Sequence, residues 1–420
     1  MLSQTPSSPL QVKTLLNLSH DIYIDNPLKV VHLLLSNFPN YMKGSCLYDV
    51  LHDLLIHGIF SVDGNLWTIQ CKIASHEFNT KSLKHFISNI VNSKISNHLI
   101  IYLSKICDKN RVIDLQNMLQ KFGFDNICNV ALGTDPACLY LENMNHTRSM
   151  SGLSFAKCFD DTVDICSSRL MSPLSLVWKM KRFFNIGYEK LFKQVTEEIN
   201  KYAIEIIELK KAKSDVVKDG DLLSRFVSSS ANIEFHNVEH KRRFLRDIVI
   251  NFILAGRDNT SLALTWFFWL ISGHLKKLHY LHAALSESMQ LFPSVPINLR
   301  LTVDDEVLPD GFLVRKGWFA NYSAYAMEFK PERWLDGDGV FQPSYQFRFP
   351  MFHCGPSMCL GKEMAYVQMK SVVAAVMYEF EVVVVNGGAT AKKMMNPPYI
   401  LSLVLKMKGR LAVRLHKRQR

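Results

Sequence analysis

The sequence predicts a mainly α-helical protein with a small β component, an α+β fold. The helical part follows from long stretches with apolar residues at three-to-four spacing, above all 188–213 and 244–272. The β part follows from short strand-like segments near Gly and Pro, at 303–317, 380–385 and 399–415. We therefore expect helices to build the body and the strands to lie late in the chain.

The elements are expected in a simple order along the chain. Helical patterns come first, and the last of them is a buried core helix at 244–272. The earlier ones lie at 30–38, at 48–57, within 83–119 on both sides of a polar turn, and at 188–213. Strands follow, at 303–317 with a turn at Pro309–Gly311, at 380–385, and as a hairpin of Tyr399–Met407 with Arg410–Leu415 around Lys408-Gly409.

Composition limits the class of protein. With 48% hydrophobic and 21% charged residues, the chain of 420 residues is globular rather than disordered. Nine cysteines without a paired framework argue against a disulfide scaffold and for a reducing compartment. The net charge of +11 comes without a basic motif interleaved with aromatics, so we expect a solvated basic face and no nucleic acid partner.

Membrane-spanning segments are not expected. No signal peptide is evident at the N-terminus. The stretch 248–271 is long enough to cross a bilayer, but Arg257, Asp258 and Asn259 interrupt its centre, where charges are costly in lipid. We interpret it as a buried core helix.

One loop, 349–361, carries the chemistry of the chain. Its pattern is Phe352-x-x-Gly355-x-x-x-Cys359-x-Gly361, followed by a helix. Cys359 thus precedes a helix N-terminus, where free N–H groups and the helix dipole favour a thiolate over a thiol. The alternative is an apolar loop with two buried cysteines, 354 and 359, that act as small hydrophobic residues.

This pattern resembles the heme-binding loop of the cytochrome P-450 superfamily, the heme-thiolate monooxygenases. The resemblance implies that Cys359 is the metal ligand of heme iron, that Phe352 packs beside the sulfur, and that the two glycines let backbone approach the sulfur and the porphyrin. It places heme between the core helix 244–272 and the helix after Cys359. It also implies a single domain over 1–420, here without the N-terminal membrane anchor.

The centre of the core helix, Ala255-Gly-Arg-Asp-Asn-Thr-Ser261, resembles the segment that crosses the oxygen-binding face of heme. The resemblance makes Asp258, Asn259 and Thr260 the catalytic candidates, with proton relay through an acid, a hydroxyl and water. Asn259 stands where the family usually has Thr, and an amide is not a hydroxyl relay. The alternative is a buried helix with a polar kink at 257–258.

Further segments match the family with substitutions at its charged positions. Trp67 fits the Trp-x-x-x-Arg helix at the heme edge, but Cys71 stands at the Arg position. Ser357 stands where the heme loop normally supplies an Arg to a heme propionate. Arg300 is a further candidate for a propionate contact. Because charge-assisted hydrogen bonds are about twice as strong as neutral ones, these losses predict weaker heme binding.

A structural carboxylate shows the same kind of change. Glu287 and Gln290 match a helix that carries Glu-x-x-Arg, with Gln in place of Arg. The second cation of this motif survives as Arg333. We expect a weakened clamp, in which Gln290 donates a neutral hydrogen bond and Arg333 pairs with Glu287.

The closest resemblance is to plant fatty acid ω-hydroxylase-type members. It implies insertion of one oxygen atom of O2 into a long-chain fatty acid or related carboxylic acid. A chain without its own Gly-x-Gly-x-x-Gly after a strand takes NADPH electrons only through a flavin reductase, docked on a basic face near Lys362. Family members sit on the cytosolic face of the endoplasmic reticulum membrane, so contact with a membrane surface is expected.

Two alternatives stay open. Segments near 270–279 and 326–329 look shortened, and together with four substituted positions they allow a catalytically impaired remnant that binds heme weakly. A zinc site of His353, Cys354 and Cys359 is the other, although no second Cys/His pair lies at the usual spacing.

Overall fold

A computed structural model describes most of the chain. The described residues are 10–13, 20–24, 26–78, 81–141, 150–172, 174–212, 221–229, 237–271, 281–322, 329–343, 346–385 and 397–419. The segments expected to be shortened, near 270–279 and 326–329, fall largely outside these residues.

Helices dominate the described part of the chain, as the sequence predicts. They are α1 (Pro27–Val31), α2 (Gly44–Leu55), α3 (Gly64–Phe78), α4 (Lys81–Lys94), α5 (Ile100–Asp108), α6 (Leu115–Leu132), α7 (Cys138–Leu141), α8 (Met150–Leu170), α9 (Ser175–Phe183), α10 (Tyr188–Ala212), α11 (Leu222–Ser229), α12 (Val238–Ile271), α13 (Leu281–Leu291) and α14 (Lys362–Glu379). Single π turns follow α1 and α4, at His32–Ser36 and Ile95–Leu99.

Helix α12 is the centre of the fold. It is 34 residues long and begins six residues before the predicted core helix. Its last ten residues, 262–271, are almost all apolar, and Trp266 and Phe267 are completely buried. A helix that is hydrophobic all round must be covered on all faces. Accordingly, α6, α10, α13 and α14 all contact it.

Glycines allow α6 and α12 to approach closely. A Cβ at Gly123 of α6 would lie 2.2 Å from Ser261 Oγ and 2.9 Å from the backbone oxygen of Arg257. A Cβ at Gly256 of α12 would lie 2.4 Å from Ile127 Cδ1. Both positions therefore exclude a side chain, and the two backbones are held in near contact.

The strands form small sheets, and not all of them lie late in the chain. They are β1 (Leu10–Lys13), β2 (His20–Ile24), β3 (Tyr41–Met42), β4 (Ile113–Asp114), β5 (Asn298–Thr302), β6 (Glu306–Val307), β7 (Leu313–Val314), β8 (Phe319–Tyr322), β9 (Phe380–Val384), β10 (Tyr399–Leu401), β11 (Leu405–Met407) and β12 (Ala412–Lys417). The largest described sheet has the order β1-β2-β8-β5-β3. The prediction that strands lie only in the late part is wrong, because N-terminal strands pair with β5 and β8 across a long sequence separation.

The predicted C-terminal hairpin also pairs differently. Strand β11 pairs with β10, which lies just before it. Strand β12 pairs with β9 and β4 instead of with β11. The turn at Lys408-Gly409 therefore separates two sheets, and the helical part of the chain supplies β4 to the second one.

Two apolar clusters position the loop that contains Cys359. The larger cluster surrounds α12 and includes the buried face of α14. The smaller one lies under the five-stranded sheet and includes Leu34 and Cys354. The loop therefore lies between the helical body and the sheet. Among the described residues, no helix is both long and apolar enough to cross a membrane.

Candidate functional site

The loop before α14 is held by its own backbone. A 3-10 turn at Pro350–Phe352 is followed by a second at Gly355–Ser357. The N–H of Cys359 donates to the carbonyl of Phe352 at 2.7 Å, and the N–H of Met358 donates to that of Gly355 at 3.2 Å. These bonds fix Cys359 immediately before the first turn of α14.

Gly355 is required by both conformation and space. Its φ of +59° lies in the left-handed region, and a Cβ there would come 2.4 Å from the carbonyl oxygen of Leu34. Gly361 differs, because its Cβ would make only an ordinary contact, 3.9 Å from Cys359 Sγ. Of these two glycines, only Gly355 is required by the conformation and packing of the protein chain.

Cys359 is exposed, yet protein atoms surround it. Burial raises the pKa of its thiol, while the N–H groups of Gly361 and Lys362 and the Lys362 charge lower it. The expectation of a free thiolate is wrong, because desolvation outweighs the helix N-terminus, so a metal is needed to displace the proton.

The neighbouring Cys354 behaves differently. It is completely buried, and its thiol donates to the carbonyl of Gln346 at 3.0 Å. Burial raises its pKa to about 11. The Phe352 ring lies 5.3 Å from the Tyr366 ring of α14, tilted by 42°, and the Phe352 carbonyl accepts the Cys359 N–H. Its described ring contact is thus with α14, and its link to Cys359 runs through the backbone.

Helix α12 presents an accessible face in the middle of its buried length. Positions 254–256 and 259–260 are only partly buried, between segments that are fully buried. The Nδ2 of Asn259 donates to the Ala255 carbonyl at 3.1 Å, while its Oδ1 is buried and has no partner among the described residues. That oxygen is therefore an acceptor without a described protein partner. Since α14 contacts α12, this face and Cys359 belong to neighbouring elements.

Asp258 points away from this face. It is buried, accepts a hydrogen bond from Gln120 Nε2 at 3.3 Å, and lies 3.9 Å from Arg257 Nε. Arg257 in turn donates to Asp160 at 2.6 Å. Of the three catalytic candidates, Asn259 and Thr260 are only partly buried, whereas Asp258 is buried and contacts Gln120 of α6 and the adjacent Arg257.

A cation lies beside the position where Arg was expected in α3. Trp67 is partly buried against Phe38, with ring centroids 5.6 Å apart. Lys43 Nζ lies 5.3 Å from the Trp67 ring. Burial raises the pKa of Cys71 to about 11, and the positive charge of Lys43 opposes this rise. The charge missing at position 71 is therefore present nearby, from the residue that precedes α2.

Arg300 belongs to a second basic group. It lies in β5, is largely buried, and hydrogen-bonds the Tyr322 hydroxyl of β8. Tyr322 Oη lies 2.6 Å from His353 Nδ1 in the Cys359 loop. Burial, Arg300 and Lys43 lower the pKa of His353 to about 3, so this histidine is neutral. Sequence reasoning named Arg300 as a candidate and His353 only as a possible zinc ligand, and it did not identify Lys43 or Tyr322.

Ser357 offers no charge, and its hydroxyl turns to the loop itself. Its Oγ donates to the Cys354 carbonyl at 3.2 Å. The three proposed zinc ligands are also separated in function. His353 bonds Tyr322, Cys354 bonds Gln346, and the described residues contain no group of three potential metal ligands.

Glu287 is clamped by donors that sequence reasoning did not identify. Its completely buried carboxylate accepts the Lys330 N–H at 2.8 Å and the Trp334 indole N–H at 2.7 Å. Arg333 Nε lies 3.1 Å away, as predicted. Gln290 makes no hydrogen bond to it among the described contacts, so that part of the prediction is wrong. A backbone N–H and an indole replace the second arginine.

Comparison with known proteins decides the family. A family model described as "Cytochrome P450" matches residues 19–275 and 270–411. The chain belongs to the cytochrome P450 family. It is therefore a monooxygenase of the heme-thiolate class, which receives NADPH electrons through a reductase.

Plant members of the cytochrome P450 family are similar along nearly the whole chain. Cytochrome P450 94A1 of Vicia sativa is 39% identical, covering 99% of this chain and 85% of the relative. Cytochrome P450 94B1 of Arabidopsis thaliana is 36% identical, covering 100% and 86%. The crystal structure of the cytochrome P450DA heme domain matches with a TM-score of 0.77 at 15% identity, over 99% of this chain and 91% of that one, which shows the shared fold.

The residues of this cytochrome P450 fit a heme. An accessible cysteine with two backbone donors suits an axial sulfur ligand. Two cations, Lys43 and Arg300, lie near His353 and suit the two carboxylates of the porphyrin. The unpartnered oxygen of Asn259, on α12, can accept a hydrogen bond from a polar ligand. The substitutions at 71 and 357 therefore do not remove all positive charge from the site.

Proposed function

We propose that this cytochrome P450 binds heme through Cys359 and hydroxylates the far end of a long-chain fatty acid or related carboxylic acid. The observation that carries the ligand assignment is the accessible Cys359 thiol, with N–H groups of Gly361 and Lys362 directed at its sulfur. The similarity to plant fatty acid ω-hydroxylase-type members supports the substrate class. Lys362, close to that sulfur, belongs to the proposed docking face for the reductase.

Each side of the site has its own task. Bound heme supplies oxygen activation and transfer of one oxygen atom of O2 to the substrate. The N–H groups of Gly361 and Lys362 stabilise negative charge on the sulfur, which tunes its donor strength. On α12, the unpartnered Oδ1 of Asn259 would accept a hydrogen bond from a water molecule, and the Thr260 hydroxyl would extend that chain of hydrogen bonds.

The proposal is tested on the heme-loaded protein with NADPH and a plant reductase. A series of fatty acids of increasing chain length is offered, and products are separated by gas chromatography and mass spectrometry. We expect a hydroxyl group at or next to the terminal carbon. A protein with the reduced, carbon-monoxide-bound spectrum of thiolate ligation that converts none of these acids would contradict the substrate class but not the heme ligand.

A second candidate, a chain that binds heme weakly, is favoured by the uncharged residues at 71 and 357. Replacing Ser357 with Arg should restore a propionate cation. A charge-assisted hydrogen bond is worth about 1.5–3 kcal/mol, so we expect heme affinity to rise by roughly tenfold or more. The measurement is the heme content of purified protein and its rate of heme loss to apomyoglobin.

The control for this prediction is Ser168→Arg, a change at an exposed serine of α8. It should leave heme content unchanged. If Ser357→Arg also leaves heme content unchanged, weak heme binding is not caused by the missing loop cation, and the impaired-chain hypothesis loses its support.

We also propose that the α9 surface contacts a membrane. Phe183 is 83% exposed and Phe184 59% exposed, and apolar Leu176 and Ile186 lie exposed nearby. Exposed lysines, including Lys181, flank this apolar surface. Apolar side chains with basic neighbours are typical of surfaces that enter the lipid headgroup region. This surface supports a location on the cytosolic face of the endoplasmic reticulum membrane.

Replacing Phe183 and Phe184 with Ser should weaken membrane binding. Burial of each phenylalanine is worth about 1.5–3 kcal/mol, so we expect the vesicle-bound fraction to fall by roughly tenfold or more. Flotation with phosphatidylcholine vesicles that contain phosphatidylserine measures it. Val340→Ser, at an isolated exposed apolar residue, is the control. Equal flotation of all three proteins would contradict the proposal.

A further inference from the structure

Lys43 is a buried lysine whose only described ion pair, with Asp63, is long. Its Nζ donates to the Val62 carbonyl at 2.5 Å. The nearest carboxylate, Asp63, lies 3.8 Å away. That carboxylate already accepts the backbone N–H groups of Lys43 and Gly44, at 3.0 and 3.3 Å, which ties it to the start of α2. Among the described contacts, the ammonium group therefore has one short hydrogen bond, to a neutral carbonyl, and one long ion pair.

The surroundings of Lys43 add positive rather than negative charge. Arg300 disfavours protonation of Lys43, and both cations disfavour protonation of His353. Arg300 has no carboxylate partner among the residues described. Burying two cations with so little compensation is costly unless an anion joins them. The two cations are therefore suited to a ligand with two negative charges.

His353 contributes a neutral donor to the same site. Arginine cannot accept a hydrogen bond, so the oxygen of Tyr322 accepts from Arg300 and its hydroxyl proton goes to His353 Nδ1. The neutral ring then carries its proton on Nε2. Because His353 is only partly buried, that N–H is available to a ligand. The chain Arg300–Tyr322–His353 fixes the tautomer.

We infer that Lys43, together with Arg300 and His353, binds the two heme carboxylates, and that Lys43 replaces the arginine missing at position 71. This inference rests on the proposed function, which places heme beside the loop that contains His353. It assigns a role to a residue 28 positions before Cys71, on a different element. The Lys43 ammonium lies beside the Trp67 ring, and its charge acts on the Cys71 thiol. It therefore supplies positive charge next to the position where the arginine was expected.

The test uses iron-free protoporphyrin IX, which has both carboxylates but no metal for Cys359. Binding to the heme-free protein is measured by quenching of tryptophan fluorescence. Lys43→Met should weaken binding by roughly tenfold or more, because a charged hydrogen-bond donor is lost. Protoporphyrin IX dimethyl ester should bind wild type and Lys43→Met equally. The midpoint temperature of thermal unfolding of the heme-free protein should not fall in the variant, since the substitution removes a poorly paired buried cation.

A pH titration provides a second readout. Burial lowers the pKa of Lys43 to about 8 in the heme-free protein, with Asp63 and Cys71 opposing and Arg300 reinforcing this shift. Two carboxylates would raise that pKa again, so binding takes up a proton above pH 8. Affinity should be full below pH 8 and fall as pH rises above it, by up to about tenfold per unit. The Lys43→Met variant should lack this fall in affinity. The ratio of wild-type to variant affinity at each pH removes the effect of other titrating groups.

The outcomes separate the two proposals. Lys94→Met, at a buried lysine paired with Asp135, is the matched control and should bind protoporphyrin IX like wild type. Equal loss in both variants, or equal binding of diacid and ester by wild type, would overturn the role of Lys43. If the Lys43→Met variant does not fold, the wild-type protein alone still tests the proposal. It should bind the diacid more tightly than the ester, and this preference should be lost above pH 8. Failure of thiolate ligation would show separately, in the carbon-monoxide spectrum of iron-loaded protein.

Discussion

Cys359→Ser is expected to remove the thiolate spectrum and all measurable monooxygenase activity. A serine hydroxyl is a poor ligand for heme iron and does not give the electron donation that favours oxygen activation. The protein supports the sulfur with two N–H groups and places it at the start of α14. A change from sulfur to oxygen keeps the size of the side chain but loses this chemistry. The reduced, carbon-monoxide-bound spectrum and product formation from fatty acids measure both effects.

Cys354→Ser is the matched control in the same loop. This residue is completely buried and donates to the Gln346 carbonyl, a bond that a serine hydroxyl can replace. We expect its thiolate spectrum to persist at slightly lower thermal stability. A thiolate spectrum in the Cys359→Ser protein, or its loss in the Cys354→Ser protein, would exchange the roles of the two cysteines and contradict the assignment.

Glu287→Ala is expected to lower the free energy of unfolding by about 3–5 kcal/mol, the cost typical of breaking a buried pair. The carboxylate is completely buried and is held by the Lys330 N–H, the Trp334 indole and Arg333. Its removal leaves a backbone N–H and an indole N–H without their acceptor. Urea unfolding, followed by far-ultraviolet circular dichroism, measures the change.

The control for Glu287 lies one helical turn later. Gln290→Ala should change the free energy of unfolding by less than about 0.5 kcal/mol, because Gln290 makes no described hydrogen bond to Glu287. Trp334→Phe should lie between the two, at about 1.5–3 kcal/mol, the value of a hydrogen bond to a charged group. A large loss on Gln290→Ala with a small one on Trp334→Phe would show that the side-chain amide clamps Glu287 after all.

The sequence was most informative where one segment carries its own signal. The helix after Cys359 and the long helix from Tyr188 follow apolar periodicity, and both were predicted within a few residues. The turn at Gly355 was marked by its glycine, although only the structure shows that the Leu34 carbonyl excludes a side chain. Local rules suffice for such elements because their contacts lie within one stretch of chain.

What could not be predicted depends on distant partners. Lys43 has no sequence signal that links it to position 71, since the two meet only when α2 and α3 fold together. Trp334 replaces an arginine at Glu287 from another segment, so the local Glu-x-x-Gln pattern suggested a weaker clamp than exists. The short N-terminal strand β2 pairs with β8 across most of the chain, and its five residues have little pattern of their own.

The close approach of α6 and α12 has a consequence for the order of folding. Gly123 faces Ser261, and Gly256 faces Ile127, so the contact joins residues with much of the helical body between them in the chain. Contacts of such high sequence separation form late, because the intervening segment must first lose its conformational entropy. In a newly made chain, the contact between α6 and α12 should therefore form only near the end of folding, after both helices exist.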